Sequence, residues 1–158
     1  MTEPATPESS NDRTATGVRN DILGRRPVRD VMTSRVLAVV ASTEVDAALQ
    51  LMVGAGVHHL PVMDHGRCVG LLHEADIVWR LAARSLRGRP PTASDVARKP
   101  APAVPVDRTV SEAAAEMFQR CGDAVVVTDA DQIIGILTTN DLLAILARQP
   151  MDPELDQP

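Results

Sequence analysis

The sequence predicts an α+β protein of two β-α-β-β-α units with pseudo-twofold symmetry. Three observations predict it: an internal repeat at one constant offset, the same order of short strands and amphipathic helices in both copies, and turn residues between them. The chain has 158 residues, of which 44% are hydrophobic and 23% are charged, as is ordinary for a globular domain. Only Trp79 and Phe118 are aromatic. We therefore expect an aliphatic core.

The repeat has an offset of 65 residues and needs no gap. It pairs Gly70 with Gly135 and Asp76 with Asp141. Further identical pairs at this offset are Asp30 with Asp95, Val31 with Val96, Ala48 with Ala113, Met52 with Met117, Val62 with Val127 and Leu72 with Leu137. Two copies are too few for a solenoid, which needs at least three to cover its core. We therefore expect the two units to pack against each other.

Both copies predict the same elements in the same order. In the two units in turn, we expect a helical turn at 28–33 and 93–98, a strand at 36–40 and 103–106, a helix at 43–53 and 109–121, a strand at 59–63 and 124–128, and a strand at 68–72 and 133–137. Turn residues between the last two strands predict a hairpin in each unit. A final helix begins after Leu72 in the first unit and after Leu137 in the second.

The helices of the two units carry start signals and apolar faces. Thr109 with Glu112 forms a capping box, in which each side chain satisfies a free backbone N–H group. In the final helices, the apolar residues spread over about half of the circumference, more than the single stripe of a surface helix. These residues are Ile77, Val78, Leu81, Ala82 and Leu86, and Leu142, Leu143, Ile145 and Leu146. We expect these helices to be covered on two sides, by the other unit or by a second chain.

Composition indicates the boundaries. Residues 1–26 and 149–158 are rich in proline, small polar and acidic residues and poor in apolar ones, so we expect disordered tails there. The first repeat is expected at 27–86 and the second at 93–148. Residues 87–92, which contain one glycine and two prolines, are expected to form the linker.

Charge and composition exclude several classes of protein. The net charge is -5, and the chain lacks the basic surface and the aromatic platforms of nucleic-acid binders. It shows neither the pattern of a signal peptide nor an apolar stretch of roughly 18 residues. We expect a cytoplasmic protein with no nucleic acid and no membrane as partner. Cys68 and Cys121 are too few for a disulfide framework and are expected to be buried thiols.

Four segments carry a family resemblance: 28–33, 56–64, 70–72 and 135–142. In this order they resemble the cystathionine beta-synthase type (CBS) domain pair, also called a Bateman module. The resemblance implies a tandem CBS-domain pair, units that pair through their sheets, and frequent homodimerisation. It also implies regulatory binding of an adenosine-containing ligand, such as AMP, ADP, ATP or S-adenosylmethionine, and a signal passed to an unknown protein partner.

Thr138 and Asp141 stand three residues apart where a strand is expected to turn into a helix. The hydroxyl, the carboxylate and the free N–H groups of the helix then point into one space. This suits a ribose diol, because a carboxylate accepts strong hydrogen bonds from adjacent hydroxyls. The resemblance implies a base contact with the other unit, at Met32, Leu37, Val57, His58 and His59, with Asn140 nearby. The alternative for the Thr-x-x-Asp pair is a capping box, and the two roles can coexist.

The symmetry-related site around Asp76 is weaker. His73 takes the place of the hydroxyl residue, and Asp123 would repel a phosphate. The other facing residues are Ala97, Pro102, Gly122 and Ala124. We therefore expect the ligand at the Asp141 site, with the Asp76 site empty or holding an uncharged group.

The histidines raise a metal hypothesis. His58 and His59, with His73 and Glu74, are ligand types that zinc takes. Neighbouring residues on a strand face opposite ways, so His58 and His59 are not expected to reach the same ion, and we expect no metal site. One of these two histidines is then expected to contact the ligand and the other to make a structural hydrogen bond.

Arginines near the start of the first unit offer positive charge. Guanidinium groups match phosphate oxygens, and the residues concerned are Arg25, Arg26, Arg29 and Arg35. They suit a polyphosphate ligand, and solvated surface is the alternative.

Two other functions stay open. The first is a ligand-free interaction or stress-response protein with a vestigial pocket, which His73 and the replacement of Pro61 by Val126 in the second copy support. The second is an enzyme, which ranks last because the sequence holds no Gly-rich phosphate loop, nucleophile elbow or convincing acid–base pair. We therefore expect neither catalysis nor a cofactor.

Overall fold

The computed structural model describes residues 24–83 and 88–147. Most of the predicted tails and part of the predicted linker lie outside these residues. The first unit comprises a 3-10 turn (Val28–Asp30), β1 (Val39–Val40), α1 (Val45–Ala55), β2 (His59–Asp64), β3 (Arg67–His73) and α2 (Glu74–Ala82). The second comprises α3 (Ala93–Val96), β4 (Ala103–Pro105), α4 (Val110–Gln119), β5 (Ala124–Asp129), β6 (Gln132–Thr138) and α5 (Thr139–Ala147). The predicted α+β architecture of two like units is confirmed.

The two sheets have the same topology and the same register. In each sheet the first strand is parallel to the second, and the second is antiparallel to the third. Val39 lies opposite Val62 in the first sheet, and Val104 lies opposite Val127 in the second. Each residue of the second pair lies 65 positions after its counterpart in the first pair. The repeat offset found in the sequence is therefore also the offset between the two sheets. In each unit the helix between the first two strands makes the crossover that a parallel pair requires.

Each sheet buries both of its faces. The inner face packs on the helices of its own unit, with Leu60 and Leu72 in the first core and Val125 and Leu137 in the second. The opposite faces meet in a third apolar cluster, which contains Leu71, Ala124, Val126 and Ile136. Alternation along the strands produces this division, because successive side chains point to opposite faces. The units therefore pack sheet to sheet, as the repeat predicts.

The leading segments of the two units are exchanged. Val28 is fully buried in the core of the second unit, and Ala93 is fully buried in the core of the first. Thr33 forms an antiparallel bridge with Ile136, and Arg98 forms the equivalent bridge with Leu71. These segments tie the units together in a way that the sequence did not predict, because the repeat shows which segments are alike but not which unit each one packs on.

Two local expectations are wrong. The predicted strand at 36–40 is reduced to β1, because Val36 instead packs in the cluster between the sheets. Cys121 is exposed, since α4 ends at Gln119 and the chain turns at Cys121 with φ +49°. Cys68 is half-buried, and its thiol donates to the carbonyl of Gly70 at 3.4 Å.

The final helices are covered on one side only. Ile77 of α2 is fully buried, whereas Trp79 is 75% exposed and Val78 and Leu143 are more than half exposed. Within residues 24–83 and 88–147 the other unit does not cover the outer faces of these helices, because the units meet through their sheets. Of the two kinds of cover expected, a second chain stays a prediction. Among the described residues, no helix has the length and hydropathy that crossing a bilayer requires.

Candidate functional site

A cavity of about 200 Å³ lies between the two units. The first unit contributes the segment before β1 and the start of β2. The second unit contributes the end of β6 and the first turn of α5. The residues that line the cavity are Thr33, Arg35, Val36, Leu37, Gly56, Val57, His58, His59, Ile136, Thr138, Asn140 and Asp141. The cavity is thus shared between the halves.

The structure brings together all the residues predicted for this site except Met32. Met32 instead packs in the core of the second unit, over Gly135. A Cβ atom at Gly135 would lie 2.3 Å from the Met32 sulfur atom, which accounts for a residue without a side chain at that position. Arg35 is the one of the four arginines singled out in the sequence that lines the cavity.

Thr138 and Asp141 form the capping box that the sequence offered as an alternative. The backbone N–H and the hydroxyl of Thr138 both donate to Oδ2 of Asp141 at 2.8 Å. The backbone N–H of Asp141 donates to the Thr138 hydroxyl at 3.3 Å. These bonds use only one carboxylate oxygen. A carboxylate accepts about four hydrogen bonds, so the Oδ1 atom keeps capacity for a ligand while the cap stays intact.

His58 and His59 point to different partners, as strand alternation predicts. Nδ1 of His58 pairs with Oε2 of Glu74. Nε2 of His59 lies 3.0 Å from Oδ1 of Asp123. The His58 side chain is largely exposed and that of His59 is largely buried, so His58 belongs to the mouth of the cavity and His59 to its inner wall.

The symmetry-related cleft has its carboxylate occupied. Arg98 holds Asp76 in a bidentate pair, with Nε to Oδ2 at 2.7 Å and Nη2 to Oδ1 at 3.1 Å. The hydrogen bond from Arg98 lowers the pKa of Asp76, against the opposing effect of burial. At the 65-residue offset, Arg98 stands where the Asp141 cleft has Thr33. A ribose at Asp76 would therefore have to displace a guanidinium group.

Three other residues predicted for the second site take part in packing or backbone hydrogen bonding. Ala97 packs against Gly70, Ala124 is fully buried between the sheets, and the carbonyl of Pro102 accepts from the N–H of Val126 at 2.9 Å. A cavity of about 380 Å³ remains at this cleft, and its walls include His73, Gly122 and Asp123.

His73 lies between the two units with its side chain 6% exposed. Its Nδ1 atom is 3.2 Å from Oδ1 of Asp123, and its ring meets that of His59 edge to face, with 4.8 Å between the centroids. Burial is the main cause that lowers the pKa of His73, followed by the charges of Arg98 and His59. Among the described residues, Nε2 of His73 is a buried side-chain nitrogen without a hydrogen-bond partner. The Asp123 contact escaped the sequence reasoning, which considered this acid only as a repulsive group.

A family model described as the CBS domain matches residues 28–83 and 93–148. The chain belongs to the CBS domain family. The two matched stretches coincide with the two units of the fold, so the protein is a tandem CBS pair.

A curated CBS protein and a larger enzyme are similar in sequence to this chain. The CBS domain-containing protein YhcV of Bacillus subtilis is 26% identical over 115 residues, which make up 73% of this chain and 81% of that protein. A homoserine O-acetyltransferase of Methanosphaerula palustris is 29% identical over 125 residues, which are 78% of this chain but 24% of the transferase. The chain thus spans about a quarter of the enzyme's length.

Solved CBS structures share the fold. The CBS domain protein TA0289 of unknown function from Thermoplasma acidophilum is 32% identical with a TM-score of 0.68, covering 77% of this chain and 70% of that one. The CBS domain pair of protein MJ0100, solved with 5′-methylthioadenosine and S-adenosyl-L-methionine, has a TM-score of 0.71 at 22% identity, covering 78% of this chain and 97% of that one. At that identity the likeness to MJ0100 shows the fold alone.

Proposed function

We propose that this CBS pair is a regulatory module that binds an adenosine-containing ligand in the cavity at Thr138 and Asp141. The observation that carries the proposal is the cavity itself, in which a carboxylate at a strand-to-helix junction of one unit faces apolar and imidazole side chains of the other. The ligand complex of the MJ0100 pair supports an adenosyl ligand class for this fold.

The walls of the cavity suit the parts of such a ligand. Oδ1 of Asp141 and the Thr138 hydroxyl face the ribose, and Leu37, Val57 and Ile136 offer apolar surface for the base. Arg35 and His58 lie toward the exposed side of the cavity and suit an anionic group. Binding pockets for drug-sized ligands hold about 300–1,000 Å³, so in a cavity of about 200 Å³ the outer part of the ligand extends into solvent.

The signal leaves the chain through another protein. We propose a homodimer formed by the outer faces of α2 and α5, because Val78 and Trp79 of α2 and Leu143 and Leu146 of α5 are exposed apolar residues, and exposed apolar surface marks interaction sites. We also propose that the ligand acts as a regulator rather than as a substrate or cofactor. A ligand shifts a protein between two states only through different affinities for them.

The cytoplasmic location stays a prediction.

Thermal unfolding with candidate ligands tests the binding site. AMP, ADP, ATP, S-adenosylmethionine and methylthioadenosine are each added to the native chain, and the effective ligand is expected to stabilise it by about 2.7 kcal/mol at a hundredfold excess over Kd. Asp141→Ala is expected to abolish this stabilisation. It also removes the capping box of α5, at a cost of about 1 kcal/mol, so its effect needs a control with the same structural loss.

Asp95→Ala is the matched control. Thr92 and Asp95 form a second Thr-x-x-Asp box with bonds of 2.8 and 2.9 Å, and neither residue lines the cavity between the units. This variant is expected to lose stability and keep ligand binding. If no adenosyl ligand stabilises the native chain at millimolar concentration, the proposal is wrong and the ligand-free interaction protein becomes the better account. Equal binding losses in both variants would also contradict it.

A further inference from the structure

We propose that His59, His73 and Asp123 form a site for a divalent transition metal of the zinc type, which bridges the two units. His59 and His73 belong to the first unit, and Asp123 belongs to the loop before β5 of the second. Their ligand atoms all lie within 4.8 Å of one another. The proposal does not rest on adenosyl ligand binding, although His59 also lines the cavity proposed for that ligand.

Strand register places the two imidazoles side by side. His59 in β2 and His73 in β3 are direct partners across the antiparallel pair, and directly opposed residues project from the same face. That face is the one turned toward the second unit. The sequence reasoning considered His58, His59, His73 and Glu74 together and expected no metal site because His58 and His59 diverge; it did not consider Asp123 as a ligand.

Asp123 is held where it can complete the set. Its backbone carbonyl accepts from the N–H of Thr139 at 2.8 Å and from the Thr139 hydroxyl at 3.2 Å, which anchors the loop to the start of α5. One oxygen, Oδ1, then lies 3.0 Å from Nε2 of His59 and 3.2 Å from Nδ1 of His73. Ligand atoms of a tetrahedral zinc ion lie roughly 3.3 Å apart when the bonds are about 2.0–2.1 Å. The two contacts to Oδ1 are close to this spacing, whereas the full set of ligand atoms extends to 4.8 Å, so the side chains have to move closer together to admit an ion.

The local electrostatics favour a cation at this place. Zinc binds neutral imidazole and ionised carboxylate. Burial is the main cause that lowers the pKa of His73, which favours the neutral ring. Burial raises the pKa of Asp123, but its hydrogen bond and charge interaction with His59 lower it by more, so that the net shift favours the carboxylate. Arg98 opposes a cation, but its guanidinium group is engaged by Asp76.

The surroundings leave room for access and for a further ligand. The Asp123 side chain is 59% exposed, and the cavity of about 380 Å³ that it lines with His73 opens beside the cluster. Two imidazoles and one carboxylate are a zinc ligand set that leaves the fourth position to water.

Histidine resonances of the native full-length chain give the most direct test. The protein is freed of metal with a chelator and titrated with zinc chloride, while the imidazole nitrogens are followed by NMR. The chain has only four histidines. We expect saturation at one zinc per chain, with shifts confined to His59 and His73. Resonances of His58 and His65 that move instead, or no saturable binding, would overturn the proposal.

Variants then test the third ligand by calorimetry with zinc alone. Asp123→Asn keeps the shape of a largely exposed side chain, and it is expected to lower zinc affinity at least about tenfold, since even the loss of a supporting partner costs 10–100-fold. His65→Gln removes an exposed histidine on the β2–β3 turn and is expected to bind like the native chain. Native affinity in Asp123→Asn, or a loss in His65→Gln, contradicts the proposal. Melting in chelator verifies that both variants are folded.

Discussion

Two glycines at the same repeat position show how a single residue serves the contact between the units. At Gly70, an added Cβ would lie 2.9 Å from the backbone carbonyl of Arg98, and at Gly135 it would lie 2.3 Å from the sulfur of Met32. In each case the leading segment of the other unit crosses the strand at this point. The repeat revealed that the two glycines are equivalent, but not what crosses them.

Alanine at these positions is expected to be destabilising. Gly70→Ala meets backbone, which cannot turn away, and should lower the free energy of unfolding by about 1–3 kcal/mol. Gly54→Ala is the control, because it lies within α1 with no neighbouring atom near its added Cβ. It should raise the free energy of unfolding by about 0.5–1 kcal/mol. Urea denaturation measures both, and a neutral Gly70→Ala would contradict the exchanged packing.

At the residue scale, the sequence predicted the cavity at Asp141 better than it predicted the group formed by His59, His73 and Asp123. Thr138, Asn140 and Asp141 follow one another along the chain, so a local pattern could identify them. Asp123 and His73 are brought together only by the packing of the two units. No pattern within either copy carries that contact, because the residues at the equivalent positions, His58 and Thr138, pair with Glu74 and with Asp141 instead.

Each exchanged segment packs in the core of the other unit. The 3-10 turn at Val28–Asp30 precedes the first sheet in the chain, yet Val28 is part of the second core. Its N–H donates to the carbonyl of Arg108 at 2.8 Å. The sequence predicted a helical turn at 28–33, and the structure has a 3-10 turn at Val28–Asp30. The sequence named no packing partner for it, since a hydrophobic pattern shows that a face is buried but not which element it packs against.

A substitution at Val28 tests this exchange. Val28→Ala removes two methyl groups from a fully buried side chain, and it should lower the free energy of unfolding by about 2 kcal/mol. Because the segment ties both units together, the whole chain should still unfold in one transition, with equal calorimetric and van't Hoff enthalpies. Val40→Ala, on the exposed side of β1, is the control and should have little effect. Separate melting of the units would contradict the exchange.

At the scale of the whole molecule, the repeat predicted the topology. It did not predict what covers the outer surface. The 65-residue offset appears in the strand register, in the bulges and in the bridges between the units. Among the described residues, nothing covers the exposed apolar side chains of α2 and α5, such as Trp79 and Leu143. A second chain is the occupant that we propose.

Sedimentation measures the proposed homodimer. The native chain is expected to sediment as a dimer, and Leu143→Glu is expected to yield monomers, because a charge in an apolar interface loses its hydration. Val40→Glu changes an exposed apolar residue outside these helices and should stay dimeric. A monomeric native chain at micromolar concentration would show that the helix faces serve another partner.

The stoichiometry of adenosyl ligand binding tests the central claim most directly. Titration calorimetry of the metal-free native chain is expected to give one ligand per chain, since Asp141 has a free carboxylate oxygen whereas Arg98 occupies both oxygens of Asp76. Asp141→Ala should give no binding heat, and Asp95→Ala should give the native value. Two ligands per chain, or undiminished binding in Asp141→Ala, would contradict the account.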